Sequence, residues 1–474
     1  MGEERPNIVL IMLDQMRYDC AGYAGHPMVQ TPILDRMASE GVCFETAYTS
    51  SPVCSPARGS WLTGLYPHTH RLLDNYNPGR RNVAGYHLPE EITALGDVCY
   101  EAGYRCGVVG PWHMGDDETP QRGFYEMWKT MRYQEAETDA YAQHLQRNGL
   151  TGIYKSESSR RFMPHMNFGV TQLPRDSQRT SWAVNEGVDF IRTTDDPFLL
   201  FLSIKDPHPH VYPPADMVDL YRPEAVPDPP DWDCTFEGKP AAYREDGRYF
   251  ADKVDIETIR CLISTYYGMI SHIDDQLGKV FRALEETGVD DNTIVAFISD
   301  HGEMLGEHGL FTKANMYEGS VRVPCLLRWP CKLPPGLKVK APFAGVDLMP
   351  TLLDLAGLPI PTPMHGCSVA GSILEGAEPE GMDVLSEISL KVAVEGRAEE
   401  SLAATIMIRS GGWKLVRHRF FDDELYDLDP DPGELTNLAG DPGHAETYVH
   451  LRQRIAEMLT EQGAGPYAWA AECP

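Results

Sequence analysis

Asn7-Ile8-Val9-Leu10-Ile11-Met12-Leu13 is the stretch whose reading decides the fold. It is an unbroken apolar run rich in Ile, Val and Leu. A strand of that composition has to be covered on both faces, as in a parallel sheet packed between helices. It ends on Asp14-Gln15. Downstream, Thr31-Pro32 opens a helix that Gly41 closes. Pro89 opens another, apolar at Ile92, Leu95 and Val98 and ending near Gly103. Residues 105–109 and 198–204 read as short strands. Residues 257–287 form a long helical pattern closed by Gly288. Residues 293–299 are a further strand, ending at Asp300-His301, and residues 323–328 another. Strands alternating with helices predict a doubly wound, mostly parallel α/β sheet sandwiched by helices. In such sheets the site lies outside the carboxyl ends of the strands. Asp14, Asp300 and the segment after Val109 all fall there.

The rest of the chain is organised around this sheet. Residues 131–180 and 207–253 are polar and rich in Pro and Gly, and read as insertions over the site face. Beyond about residue 375 the pattern changes. Residues 404–409, a Ser410-Gly411-Gly412 turn and residues 413–417 read as a β-hairpin, and residues 444–462 as a closing helix. The expected organisation is a catalytic α/β domain over residues 1–375 and a smaller C-terminal α+β domain, antiparallel sheet plus helix, over 376–474. There is no internal repeat.

Composition narrows the function. Lys plus Arg total 41 against 70 Asp plus Glu, a net charge of −29. Such a surface argues against nucleic acid or an anionic membrane as partner. No apolar run approaches the ~18 residues of a membrane span. The start, MGEERPNIVLIML, puts two acids before a short apolar segment, which is not the pattern of a signal peptide. The eleven cysteines are scattered, with no CxxC. That reads as a reducing cytoplasm rather than a disulfide framework, although a processed precursor lacking its leader would look the same.

Cysteine also marks the candidate site. In residues 50–60, SSPVCSPARGS, Pro56 suits the first turn of a helix that Gly64 can stop. Cys54 then sits at a helix N-terminus, where N–H groups and the dipole favour an anion. Arg58 follows one turn later on the same side. A lone cysteine at a helix start is most often buried packing, so the neighbourhood has to decide. Residues 54–70, CSPARGSWLTGLYPHTH, resemble the signature of type I, formylglycine-dependent sulfatases of the alkaline-phosphatase-like superfamily. Residues 425–442, LYDLDPDPGELTNLAGDP, resemble the family's C-terminal signature.

The resemblance implies a mechanism and a set of roles. Cys54 would be oxidised to formylglycine (3-oxoalanine) by the formylglycine-generating enzyme, its hydrated aldehyde serving as nucleophile. One divalent cation would be held by Asp14, Gln15, residue 54, Asp300 and His301. Oxygen ligands suit calcium, and the imidazole of His301 moves the preference toward manganese. Arg58 and Lys313, the latter in residues 309–324, GLFTKANMYEGSVRVP, would bind the sulfate. His208, in Lys205-Asp206-Pro207-His208-Pro209-His210, would share with Lys313 the role of acid to the leaving group, with His210 as the alternative. His113 would act on the second hydroxyl of the hydrate. The substrate is expected to be small and sulfated, such as a sulfated sugar.

One position departs from the family pattern. Family members commonly read Gly-Lys-Trp-His where this chain has Gly110-Pro111-Trp112-His113. A sulfate-binding lysine is therefore replaced by Pro111, and Lys205 or Arg80 could compensate. Phosphonate monoester and phosphodiester hydrolases also lack that lysine and share the Asp-Gln and Asp-His pairs, so they are the alternative reading. A third, a non-catalytic binding protein, is disfavoured by intact Cys54, Pro56 and Arg58 beside both metal pairs.

Overall fold

The computed structural model describes residues 5–76, 85–131, 139–152, 160–163, 166–195, 197–234, 236, 239, 254–392 and 401–472. Arg80 and parts of both expected insertions lie outside them. The strand Asn7–Asp14 is buried at every position. It is central in an eight-stranded sheet whose order is Leu337–Val339, Val42–Phe44, Cys325–Arg328, Thr293–Ser299, Asn7–Asp14, Phe198–Pro207, Arg105–Gly110, Met127–Thr130. Its pairings with Phe198–Pro207 and Thr293–Ser299 are both parallel, with Leu10 beside Phe201 on one side and Ala296 on the other.

Successive side chains of a strand point to opposite faces, and here each face has its own core. Val9, Ile11 and Leu13 pack with the helices Arg179–Arg192 and Ile256–Thr287. Ile8, Leu10 and Met12 pack with Ala57, Trp61 and Leu62 of the helix Cys54–Thr63, and with Leu348–Leu355. Leu10, Phe201 and Phe297 are fully buried, each side chain contributing roughly 1.5–3 kcal/mol by leaving water. The doubly wound α/β expectation holds, with an antiparallel element. Cys325–Arg328 runs antiparallel to both neighbours.

Two expected elements differ. The helix anticipated from Pro89 begins at Leu95 and ends at Glu101. Its start is set by Asp97, whose carboxylate accepts the Ala94 N–H (2.9 Å) in a capping arrangement. The strand anticipated over 323–328 is split. Arg322–Val323 pairs with Ala47–Tyr48 in a separate small sheet, and only Cys325–Arg328 joins the main one. Pro324 lies between them and has no N–H to give a ladder.

A four-stranded antiparallel sheet follows: Val384–Val392, Ser401–Ser410, Trp413–His418 and Glu424–Asp427. The expected hairpin is there, with Ser410 opposite Trp413 across Gly411-Gly412. The helix Ala445–Gln462 lays Leu451, Ile455 and Leu459 on this sheet. The same core includes Tyr48, Tyr66, Met316 and Val321 from the first part of the chain. The expected junction at 375–376 falls in the connection after Ala370–Leu374. The ten cysteines among the described residues are all free. No described helix is long and apolar enough to cross a membrane.

Candidate active site

The carboxyl ends of two neighbouring parallel strands supply the first residues. Asp14 closes Asn7–Asp14, and Asp300 follows Thr293–Ser299, its N–H donating to the Leu13 carbonyl (3.0 Å). Gly302 then lets the chain turn: a Cβ there would meet the Gly319 carbonyl at 2.0 Å. The third contribution is the helix Cys54–Thr63. Val53 is its extended N-cap and Gly64, at φ 66°, its left-handed C-cap, so Cys54 is the first helical residue and every residue to Thr63 is buried. The loop after Arg105–Gly110 brings His113, and the end of Phe198–Pro207 brings His208. Gly110 is required at that crossing, with φ 91° and a Cβ position 1.7 Å from the Ser203 carbonyl.

Ligand atoms of Asp14, Cys54, Asp300 and His301 lie within 4.8 Å of one another, all buried. Cys54 Sγ is 3.2 Å from His301 Nε2 and 3.8 Å from Asp14 Oδ1. His301 Nδ1 donates to the Gly302 carbonyl (3.0 Å). The lone pair of a neutral ring is therefore on Nε2, which points into the cluster. Burial and the charge of Lys313 push His301 down to about 3, keeping that lone pair available. Burial, then the adjacent Asp300, push Asp14 up to about 6. Burial also raises Asp300. The Cys54 thiol is raised well above its usual value by burial and then by Asp14. Two carboxylates, a neutral imidazole and position 54 at one point form a donor set that fits a divalent cation.

Arg58 sits one turn from Cys54, as expected, but its fork does not face open space. Nη2 donates to Asp14 Oδ2 (3.1 Å), Nε to Asp300 Oδ2 (3.1 Å), and Nη1 to Ser203 Oγ (2.7 Å) and the Pro111 carbonyl (3.1 Å). The side chain is fully buried. It braces the two carboxylates from behind, which differs from the anticipated contact with sulfate. The guanidinium has fixed donor directions, and protein oxygens occupy those named.

Lys313 reaches the cluster from the other side, donating to Gln15 Oε1 (2.6 Å). Burial works against its charge, but Cys54, Asp14, Asp300 and Glu303 outweigh it and raise its pKa. The rings of His113 and His208 are both pushed well below the usual histidine range, chiefly by burial. The charges of Lys313, Lys205 and His301 act on both rings in the same direction. The backbone of His113 is left-handed, φ 59°. Its N–H donates to Asp117 Oδ1 (3.1 Å), and its carbonyl accepts from Ser55 Oγ. His210 Nδ1 accepts the Asn167 N–H (3.0 Å), and His208 Nδ1 donates to the Pro209 carbonyl (2.8 Å).

The cluster thus gathers Asp14, Cys54, Asp300 and His301, with Gln15, Arg58 and Lys313 bonded to one another or to its carboxylates. Residues 6–358 match the sulfatase family. The chain belongs to the sulfatase family. Residues 306–461 also match the C-terminal part of N-sulphoglucosamine sulphohydrolase. The arylsulfatase of Clostridium perfringens is 31% identical, over 97% of this sulfatase and 96% of that protein. The N-acetylglucosamine-6-O-sulfatase of Bacteroides thetaiotaomicron is 26% identical, over 96% and 86%. The crystal structure of the phosphonate monoester hydrolase of Agrobacterium radiobacter superposes with a TM-score of 0.84 at 25% identity, covering 97% of this chain and 96% of that one. The sulfatase is therefore a sulfuric ester hydrolase. Sequence reasoning missed Ser203 and Asp117. A serine inside the apolar run FLLFLSI was the signal for the first; for the second, one acid among several in a polar loop, there was none.

Proposed function

We propose that this sulfatase hydrolyses a small sulfated sugar through a formylglycine made from Cys54 and one divalent cation. The observation that carries the reading is the meeting of Cys54 Sγ with Asp14, Asp300 and His301 at the start of a buried helix. The cation would be held by Asp14, Gln15, Asp300, His301 and residue 54. Calcium is the first choice for the oxygen set, manganese the alternative because of the imidazole. When present, cation and matured side chain supply a Lewis acid and an oxygen nucleophile. A thiol kept protonated by burial and Asp14 is a poor nucleophile, which supports conversion of Cys54 by a formylglycine-generating enzyme.

The remaining roles follow from the chain's own groups. Arg58 fixes both carboxylates, so their oxygens cost no reorganisation during reaction. Lys313 presents a fixed ammonium to the anionic ester. His113, held neutral, can accept a proton. His208 is neutral beside Lys313 and Lys205; an anionic sulfate offsets those charges, raises its proton affinity and lets it serve, with Lys313, as acid to the leaving oxygen. The sugar assignment is supported by the N-acetylglucosamine-6-O-sulfatase relative. The free cysteines support a cytoplasmic location.

The test is the intact mass of the peptide bearing residue 54, after coexpression with the maturing enzyme, together with hydrolysis of an aryl sulfate. A peptide retaining its sulfur in active enzyme would refute the reading. Phosphonate monoester hydrolysis is the second reading, favoured by the superposition on such an enzyme and by Pro111. Rates on the sulfate and phosphonate esters of one phenol decide between them.

A further inference from the structure

Gln15 has an amide whose two ends differ in charge, and the structure places each end against a side chain of opposite character. Nε2 donates to Glu303 Oε2, while Oε1 accepts from Lys313 Nζ at 2.6 Å. The other carboxylate oxygen, Glu303 Oε1, accepts the backbone N–H of Leu305 (3.2 Å) and that of Thr312. Glu303 is buried, 2% exposed. Thr312 precedes Lys313 directly and is itself left-handed, φ 64°, and Gln15 is left-handed at φ 74°. One carboxylate thus holds both the amide at one strand end and the backbone that carries the lysine.

We propose that Glu303 is the positioning residue that aims the Gln15 oxygen at the cation site and sets the Lys313 turn. The argument is one of donors and acceptors. An ionised carboxylate only accepts and an ammonium only donates. With Glu303 on one side and Lys313 on the other, a flipped amide would place oxygen against oxygen and NH₂ against NH₃⁺. One orientation is therefore selected, and it is the one that offers a lone pair to a cation rather than an N–H. An amide at 303 reverses the logic: its NH₂ draws the Gln15 oxygen toward itself and turns the Gln15 NH₂ to the site. The inference rests on the cation site proposed above and adds a residue outside its ligand set.

The test measures calcium and manganese binding by calorimetry on chelator-stripped full-length protein, with no substrate present. The proteins are wild type, Glu303→Gln and the swapped pair Gln15→Glu with Glu303→Gln. The pair keeps net charge and shape and restores a lone pair facing the site. Glu303→Gln is expected to weaken binding about tenfold or more, the scale of losing a partner behind a metal ligand, and the pair to return it near the wild-type value. Unchanged affinity in Glu303→Gln, or a pair no better than Glu303→Gln, overturns the proposal. If Glu303→Gln does not fold, recovery of folding and binding by the pair supports it and failure of the pair overturns it. A wild type that takes up neither ion refutes the cation site itself, a separate outcome.

Discussion

Two buried cation–carboxylate triads among the described residues differ in what their oxygens have left to do. In the first, Arg58 spans Asp14 and Asp300, all three fully buried. In the second, Lys414 spans Glu318 (3.0 Å) and Glu434 (2.7 Å) and joins the C-terminal sheet to the segment after Lys313. Both carboxylates of the second triad are held by the Lys414 ammonium and by one further protein donor each. Glu318 Oε2 accepts from Tyr48 (3.1 Å), and Glu434 Oε2 accepts the Glu318 N–H (2.6 Å). In the first, Asp14 Oδ1 faces a thiol at 3.8 Å and an imidazole nitrogen at 3.6 Å. A triad held on both carboxylates in this way is a clasp. A triad that leaves an anionic oxygen with a long thiol contact and an imidazole lone pair beside it has a donor set suited to a cation.

The largest expected effect is at position 54, beside the first triad. Cys54→Ala should lower turnover of an aryl sulfate by at least about 10³-fold, the scale of losing a nucleophile, with an unchanged unfolding midpoint. A small residue is tolerated at a helix start, so residual activity near wild type would break the comparison. Next come the two cations. Lys414→Met and Arg58→Met each strand two buried carboxylates, at a cost of about 3–5 kcal/mol in urea titrations. The comparison predicts a difference: in saturating calcium the deficit relative to wild type in the same calcium shrinks in Arg58→Met and is unchanged in Lys414→Met, whose cation site is intact. Equal recovery would erase the distinction between clasp and site. Smaller again is Asp300→Asn, which keeps shape but removes a charge. Cation affinity should fall about 100-fold, and an unchanged metal content would take Asp300 off the ligand set.

The frame of this comparison was legible in the sequence, and its orientation was not. The run at Asn7–Leu13 announced a central strand because nothing but coverage on both faces explains it. Asp14 and Asp300 followed from where such strands end. Cys54 and Arg58 came from local helix spacing, but the direction of the Arg58 fork did not. It depends on Ser203, which is 145 residues away in sequence. The clasp was invisible for the same reason: Lys414, Glu318 and Glu434 carry no local pattern that pairs them. The false helix start at Pro89 came from weighing one proline above Asp97, whose carboxylate three residues after Ala94 is the stronger stop on fraying. The split at Pro324 could have been read from its missing N–H.

A third kind of buried carboxylate sharpens the contrast, because among the described residues it has neither a cation nor a cluster. Among the described residues Asp347 accepts backbone N–H groups alone, from Ala344 and Cys367 (both 2.8 Å), beneath the helix that packs on Cys54–Thr63. Burial raises it from 3.8 to about 7, those two N–H groups opposing the shift. The folded state thus keeps a proton that the unfolded chain releases. Its contribution is fully present below about pH 4 and is lost as pH rises toward 7. Asp347→Asn cannot titrate. With calcium present to keep the Asp14 site filled, urea midpoints at pH 5 and pH 7.5 should lie closer together in Asp347→Asn than in wild type. The amide also costs stability by setting an NH₂ against one backbone donor, but that loss is the same at both pH values and leaves the spread untouched. An undiminished spread would mean that Asp347 is ionised throughout, and that two backbone donors do for it what Arg58 does for Asp14.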